Sequence, residues 1–191
     1  VACVGALDDV SRVVTRGLKR TDSDLLLVGC AANALGGSVA ADVLGQIGGP
    51  LPAIDFERER RLIAFLLAPS TRDLVLSMTA VGDGGVAVAA LRMAFASQDA
   101  GIDLDRFQGM RGKQSAGSFE ALFSEQCGWI VETAALDAFY NEAARAGLSE
   151  TDVVHIGSVT ADRKFSQTHA GAFDIGELRD VWSKPLQEVY P

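Results

Sequence analysis

The feature that most constrains the fold is a nearly charge-free segment, Val86–Ala96, which follows directly on a glycine-rich turn. Its only charged residue is Arg92. A helix that is apolar on nearly all sides must be buried on nearly all sides, so the chain needs other layers around it. The apolar segment 74–81 reads as a buried strand and runs into this helix through Gly82-Asp83-Gly84-Gly85. The pattern predicts a buried helix packed on a sheet.

The other elements alternate irregularly along the chain. Such alternation, together with a hairpin expected between Val153–Val159 and the segment after Arg163, favours an α+β fold with helices on a mixed sheet. A final helix is predicted to open at Asp174 and to be disturbed near Pro185. Further strands are predicted at Val1–Leu7, Leu25–Val28, Ile102–Leu104 and Trp129–Glu132, and further helices at Ser38–Leu44, from Asp55 to about Pro69, and at Leu136–Ala146.

Composition excludes several classes of protein. The chain has 191 residues, is 48% hydrophobic and carries a formal charge of −8, which predicts one sizeable globular domain over residues 1–191, or at most two small ones, and disfavours nucleic acid as a partner. Its longest apolar runs, such as Ile63–Ala68, are far shorter than the roughly 18–20 residues of a membrane span. Three scattered cysteines and two histidines predict reduced thiols in a cytoplasmic chain and supply neither a zinc site nor a triad.

The turn Gly82-Asp83-Gly84-Gly85, with Val86, is the first candidate site. Backbone N–H groups at a helix start attract anions, and glycine lets a phosphate approach the backbone closely. The simpler interpretation is that Asp83 caps the helix and the glycines make a tight turn. It is no Walker loop, because no Gly-Lys-Ser follows.

Two shorter motifs are also candidates. Gly36, Gly37 and Ser38 precede a short helix, where the glycines turn the chain and Ser38 acts as a cap. Ser124 and Glu125 precede the strand at Trp129, in a loop that could present the carboxylate. The commoner interpretation of Glu125 is a solvated loop side chain.

Two remaining features read more simply as structure. Arg12, Arg16, Lys19 and Arg20 would fall on one face of a helix, where a charge run is usually just solvated. Cys127, two residues before Trp129, reads as a small buried hydrophobe rather than a nucleophile.

The ordered set of motifs resembles a known family over nearly the whole chain. It resembles the C-terminal domain of the aminoimidazole ribonucleotide synthetase superfamily, and most closely the last such domain of the phosphoribosylformylglycinamidine synthase family. The residues that carry the resemblance are Val4-Gly5, Asp8-Asp9-Val10, Leu35-Gly36-Gly37-Ser38, Asp83–Ala89, Met93–Ala96, Leu122-Phe123-Ser124-Glu125, Ile156–Val159 and Leu178–Trp182.

The resemblance implies a three-layer α/β/α fold with partly ferredoxin-like topology, within a longer multidomain chain. It implies a role in the ATP- and glutamine-dependent conversion of formylglycinamide ribonucleotide to formylglycinamidine ribonucleotide, in purine biosynthesis. A preceding ATP-binding domain would carry most of the ATP, Mg²⁺ and catalytic residues, and a glutaminase domain or subunit would be a partner. No catalytic residue is assigned here, and the isolated domain is expected to be inert and to bind no cofactor tightly, with homodimerisation left open.

The family pattern at the glycine turn is only partly kept. Where the family has a metal-binding Asp, this chain has Ala80, and Gly82 stands where the family has Ser. An alanine methyl group offers no oxygen ligand, so no metal ligand is assigned to this chain. These changes keep two alternatives open: a non-catalytic nucleotide-binding or scaffold module whose site has decayed, and another superfamily member such as a selenophosphate synthetase-like protein.

Overall fold

The structure is a computed structural model that describes residues 4–6, 8–29, 34–97, 99–107, 118–168 and 170–189. Within these residues, the strands form one mixed sheet of seven, in the order β2-β4-β1-β5-β3-β6-β7. Among these seven described strands, only β3 and β6 pair in parallel; every other neighbouring pair is antiparallel. The strands are β1 (Asp24–Gly29), β2 (Ser77–Ala80), β3 (Gly101–Asp103), β4 (Gly128–Thr133), β5 (Val153–Thr160), β6 (Lys164–Gln167) and β7 (Gly171–Asp174).

The helices lie on both faces of the sheet. Within the described ranges, none of them is long and apolar enough to cross a bilayer. The helices are α1 (Val39–Val43), α2 (Phe56–Leu67), α3 (Pro69–Arg72), α4 (Gly85–Phe95), α5 (Ser118–Phe123), α6 (Leu136–Arg145) and α7 (Ile175–Val189), and a 3₁₀ turn spans Val10–Arg12.

Alternation along β1 divides the core into two. Leu25 and Leu27 point to a cluster built with α4, while Leu26 and Val28 point to a cluster built with α2 and α6. Successive strand side chains face opposite sides, so one apolar strand serves both layers. The three-layer α/β/α arrangement implied by the resemblance, and the α+β class, are confirmed.

The helix predicted from its lack of charge is confirmed as α4. Seven of its eleven residues are buried, including Ala90 and Met93 with no exposed surface. It packs against β1, β3 and β5 through the first cluster. Because the helix is enclosed, the turn that starts it is held in a fixed place.

Helix starts predicted from Ser38, Asp55 and Asp174 are also confirmed, but the interpretation of Asp83 as the cap of α4 is wrong, because the left-handed Gly84 holds the cap position and no side chain caps this helix. The side chain of Ser38 accepts from Ala41 N–H, and that of Asp55 accepts from the amides of Glu57 and Arg58. Asp174 accepts from Glu177 N–H at the start of α7. Pro69 opens α3 directly after α2 has ended.

Several predictions about elements are wrong. Residues 4–6 form no strand, and Val4 is exposed. The expected hairpin after β5 does not form, because β3 lies between β5 and β6. The helix α7 continues through Pro185.

Two predictions about side chains are wrong as well. The basic run from Arg12 to Arg20 is helical only as far as the short 3₁₀ turn, so it presents no helical stripe. Cys127 is exposed rather than buried, because it lies in the bend before β4 and not within the strand.

Candidate functional site

The turn at the start of α4 has a backbone that requires glycine. Gly84 and Gly85 have φ angles of +83° and +68°, which side chains rarely adopt. A Cβ at Gly85 would lie 2.6 Å from the carbonyl oxygen of Leu122. Gly85 N–H donates to Gly82 O at 2.9 Å. The two glycines therefore have a structural reason to be there, whatever the turn binds.

Glu125 joins the starts of two helices. Its Oε1 accepts from the backbone N–H of Gly84, before α4, and from that of Val39, at the first position of α1, each at 2.8 Å. The positive ends of both helix dipoles thus meet one carboxylate. The interpretation of Glu125 as a merely solvated loop side chain is wrong, because the carboxylate has two backbone donors from distant segments.

The neighbours of Glu125 strengthen the same junction. The buried Ser124 hydroxyl donates to Ala34 O at 3.0 Å, and Gln126 Nε2 donates to Ala53 O at 3.3 Å. Three consecutive side chains therefore reach the segment around α1. The candidate motifs at Gly36-Gly37-Ser38, Gly82–Val86 and Ser124-Glu125, which sequence analysis treated separately, meet at one place.

This geometry changes what a phosphate would find at the turn. The amide of Gly84 already donates to Glu125 and that of Gly85 to Gly82 O, and Gly84, Gly85 and Val86 are buried. Gly82 and Asp83 are exposed. An anion at the Gly84 amide would have to displace Glu125, whose charge also repels it. That Gly82–Val86 faces a phosphate stays a prediction. Within this range, Gly82 and Asp83 are the residues exposed to an approaching anion.

The residues at this corner do not fit a magnesium ion. Ala80 contributes only a methyl group at the end of β2, and hard cations require several oxygen ligands. Across the described parts of the chain, no group of three or more His, Cys, Asp or Glu side chains is placed to hold a metal. No step through a metal is therefore assigned to this corner.

A second organising carboxylate, Glu132, was missed at the sequence level. It lies in β4 with no exposed surface and accepts from Lys19 N–H, Arg20 N–H and the hydroxyls of Ser23 and Ser77 at 2.6–3.1 Å. Because four donors replace its hydration, the carboxylate is satisfied without a cation. A glutamate inside an otherwise apolar strand was the available signal.

A third polar cluster lies on the sheet away from the glycine turn. His155 Nε2 is 3.0 Å from Asp24 Oδ1, and its Nδ1 is 3.4 Å from Arg106. Burial raises the pKa of the nearby Tyr140. None of these side chains is hydrogen-bonded to Glu125 or to the glycine turn. The cluster links strands β1 and β5 and adds nothing to the candidate site.

Comparisons with known proteins agree with the resemblance. The family described as AIR synthase related protein, C-terminal domain, matches residues 22–169. The subunit PurL of phosphoribosylformylglycinamidine synthase from Methanothrix thermoacetophila is 31% identical over 99% of this chain. The chain spans only 24% of that relative.

Solved structures share the fold at low sequence identity. Thermotoga maritima PurL complexed with ATP superposes with a TM-score of 0.62 and 19% identity, over 88% of this chain and 27% of that one. Thiamine-monophosphate kinase from Stenotrophomonas maltophilia gives a TM-score of 0.53 at 15% identity, over 81% of this chain and 52% of that one. Both of these chains are longer than the part that shares this fold.

Proposed function

We propose that this chain, which belongs to the family AIR synthase related protein, C-terminal domain, is a domain of phosphoribosylformylglycinamidine synthase. The enzyme would convert formylglycinamide ribonucleotide to formylglycinamidine ribonucleotide with ATP and glutamine. The similarity to a PurL subunit over 99% of the chain supports this assignment. The chain accounts for about a quarter of such a protein, 24%, so the whole activity belongs to the longer protein.

The observation that carries the proposal is the junction at Glu125. The resemblance named three short motifs that are separated by about 40 residues each, and the fold brings them to one carboxylate. A domain that served only as a spacer would have no need to gather these three segments at one edge. We therefore assign this edge to the rim of the ligase site.

The role of this domain is to position the rim rather than to react. Glu125 fixes the starts of α1 and α4 relative to each other, and the buried body of α4 anchors the turn. The exposed residues Gly82 and Asp83 are then presented at a constant place. Glu125 is committed to two backbone amides, and no metal-holding group of side chains lies among the described residues, so the isolated domain is expected to be inert.

The remaining parts of the proposal concern the full-length protein. A preceding domain of the same polypeptide would bind ATP and hold Mg²⁺, as expected if Ala80 supplies no ligand here. Thermotoga PurL has been solved with ATP, which supports a nucleotide in the longer enzyme. A glutaminase domain or subunit would supply ammonia, and the enzyme would act in the cytoplasm.

A second candidate function is a nucleotide-binding or scaffold module whose site has decayed. The loss of oxygen ligands at Ala80 and Gly82, and the occupied amides of Gly84 and Gly85, favour it. Such a module would keep the fold and the Glu125 junction but would not support turnover in any length of protein.

The test is an activity assay on the full-length protein that carries these residues. With formylglycinamide ribonucleotide, ATP, Mg²⁺ and ammonia, we expect formation of formylglycinamidine ribonucleotide, and no turnover by the 191-residue chain alone. Glu125→Ala should lose most of the activity at a temperature where the variant is folded, while the control Glu188→Ala, at an exposed position of α7, keeps it. An inactive full-length protein would favour the decayed module, and full activity of Glu125→Ala would remove this edge from the site.

A further inference from the structure

The segment from α1 to α2 exposes an unusual amount of apolar surface. Among the described residues, 17 large hydrophobic side chains are exposed, and nine of them lie between residues 39 and 67. Soluble monomers rarely expose contiguous apolar patches larger than a few hundred Å². We call this the 39–67 surface; its most exposed members are Val43, Ile47, Leu51, Ile54, Phe56 and Leu67.

The helix α2 contributes because it is apolar on two sides. Its inner side buries Leu62, Phe65 and Leu66 in the second core cluster. Its outer side carries Phe56, Ile63 and Leu67, which are 79%, 44% and 65% exposed. Residues spaced by seven and four positions fall on one stripe of a helix. A helix with a second apolar stripe is typical of one that is covered on both sides.

The part of the surface that precedes α2 is also poor in charge, whereas α2 itself begins with the charged run Glu57–Arg61. Between residues 39 and 54, Asp42 is the only charged residue. Charged residues are depleted at the centres of protein interfaces, whereas ordinary surface loops are rich in them. The sequence of this segment therefore matches an interface better than a solvated loop.

The 39–67 surface is continuous with the candidate site. Gly36 packs against the backbone of Gly49 and Pro50, and a Cβ at Gly37 would lie 3.3 Å from Leu51 Cδ2. Gln126 reaches Ala53 O from beside Glu125. The loop thus folds back onto the glycine turn before α1, so whatever covers this surface also borders the Glu125 junction.

Two observations indicate whether a second copy of this chain or a different domain covers the 39–67 surface. The chain is about a quarter of its PurL relative, 24%, and about half, 52%, of the thiamine-monophosphate kinase with the same fold. More polypeptide therefore accompanies this fold in both. A net charge of −8 opposes pairing with a second copy. The occupant favoured by both is a different domain.

We propose that the 39–67 surface is the docking face for another domain of the same polypeptide, which presents an apolar face of its own. The docked domain covers the outer stripe of α2 and the 46–55 loop, and closes against the Glu125 edge. The proposal rests on the assignment of the chain to a longer synthase. Its tests measure whether the 39–67 surface is covered rather than whether the enzyme turns over, so the docking proposal and the proposed function can fail separately.

The experiment compares the 191-residue chain with the protein at the full length of its gene. Hydroxyl-radical footprinting should label Leu51, Ile54 and Phe56 severalfold more slowly in the full-length protein than in the 191-residue chain. Equal labelling in both would overturn the proposal. The proposal would also be overturned if the gene encoded no further domain and the surface were labelled in a monomeric protein.

A variant pair gives a second readout. In the 191-residue chain, the double variant Leu51→Ser, Ile54→Ser should change Tm by less than about 2 °C, since exposed substitutions cost little. The single control variant Val181→Ser should also change Tm by less than about 2 °C. In the full-length protein the double variant should lower Tm by about 4 °C or more, and the control should again have little effect. A double variant without effect at full length would overturn the proposal. Dimerisation of the 191-residue chain that the double variant abolishes would make a second copy the occupant, and would also overturn it.

Discussion

At the scale of single residues, two carboxylates organise this domain by binding backbone amides rather than cations. Glu125 holds Val39 and Gly84, and Glu132 holds Lys19 and Arg20. Each joins segments that lie far apart in the sequence. Hydrogen bonds to a charged group are stronger than neutral ones, and leaving a buried donor without a partner is costly.

Replacing Glu125 should therefore destabilise the fold as well as the site. Glu125→Ala leaves the buried amide of Gly84 without its acceptor, which we expect to cost about 2 kcal/mol in urea denaturation. The matched control is Glu188→Ala, whose carboxylate pairs with Lys184 where the Lys184 and Glu188 side chains are 71% and 66% exposed. That control should change stability by less than about 0.5 kcal/mol. Equal effects of the two variants would show that the Glu125 contacts are dispensable.

At the scale of elements, the start of α4 depends on backbone geometry more than on side chains. Gly85→Ala would place a Cβ against the backbone of Leu122 and Phe123 at a φ of +68°, and we expect it to cost about 3 kcal/mol or more. At Gly82 an added Cβ meets nothing within 4 Å, so Gly82→Ala should cost less than about 0.5 kcal/mol. Chemical denaturation of both variants tests the assigned turn, which would be wrong if Gly85→Ala were as stable as Gly82→Ala.

A second element-scale prediction concerns the contact between α2 and the start of β5. Burial raises the pKa of Asp152, but hydrogen bonds from Ser149 and the Arg58 guanidinium outweigh it, so its pKa in the folded protein lies below the ordinary value. The ionised form thus stabilises the fold above the unfolded-state pKa, and this contribution is lost as pH falls through the folded pKa.

Asp152→Asn should consequently lower the free energy of unfolding at neutral pH, and should lower it less in acid. We expect a loss of about 2 kcal/mol at pH 7, and a smaller difference from the wild type as the pH is lowered below about 4. Unfolding free energies of both proteins across this pH range check the sign. A difference that grows in acid would contradict the pKa direction.

The sequence predicted those elements whose causes are local. Ser38, Asp55 and Asp174 cap helices because a short polar side chain can reach amides two or three residues on. The burial of α4 followed from its lack of charge. By contrast, the place of β3 between β5 and β6 depends on long-range pairing, which no local pattern carries. The same holds for Glu125, whose two donors lie 86 and 41 residues away.

At the scale of the whole molecule, the described residues form three layers and leave the 39–67 surface without a cover among themselves. Both core clusters are closed by helices on the sheet, while residues 39–67 expose apolar side chains beside the Glu125 junction. The chain spans 24% of its PurL relative, and the docking proposed above would give the two features a common explanation. On that proposal, the domain forms one wall of a site that another domain completes.

The most direct test of that account is genetic complementation. The full-length gene, placed in a bacterial strain that lacks phosphoribosylformylglycinamidine synthase, should restore growth without added purines. The same gene with residues 1–191 deleted should not, although the deleted protein is made. Failure of the intact, expressed gene to restore growth, or growth supported by the deleted one, would contradict the assignment of this chain to the synthase.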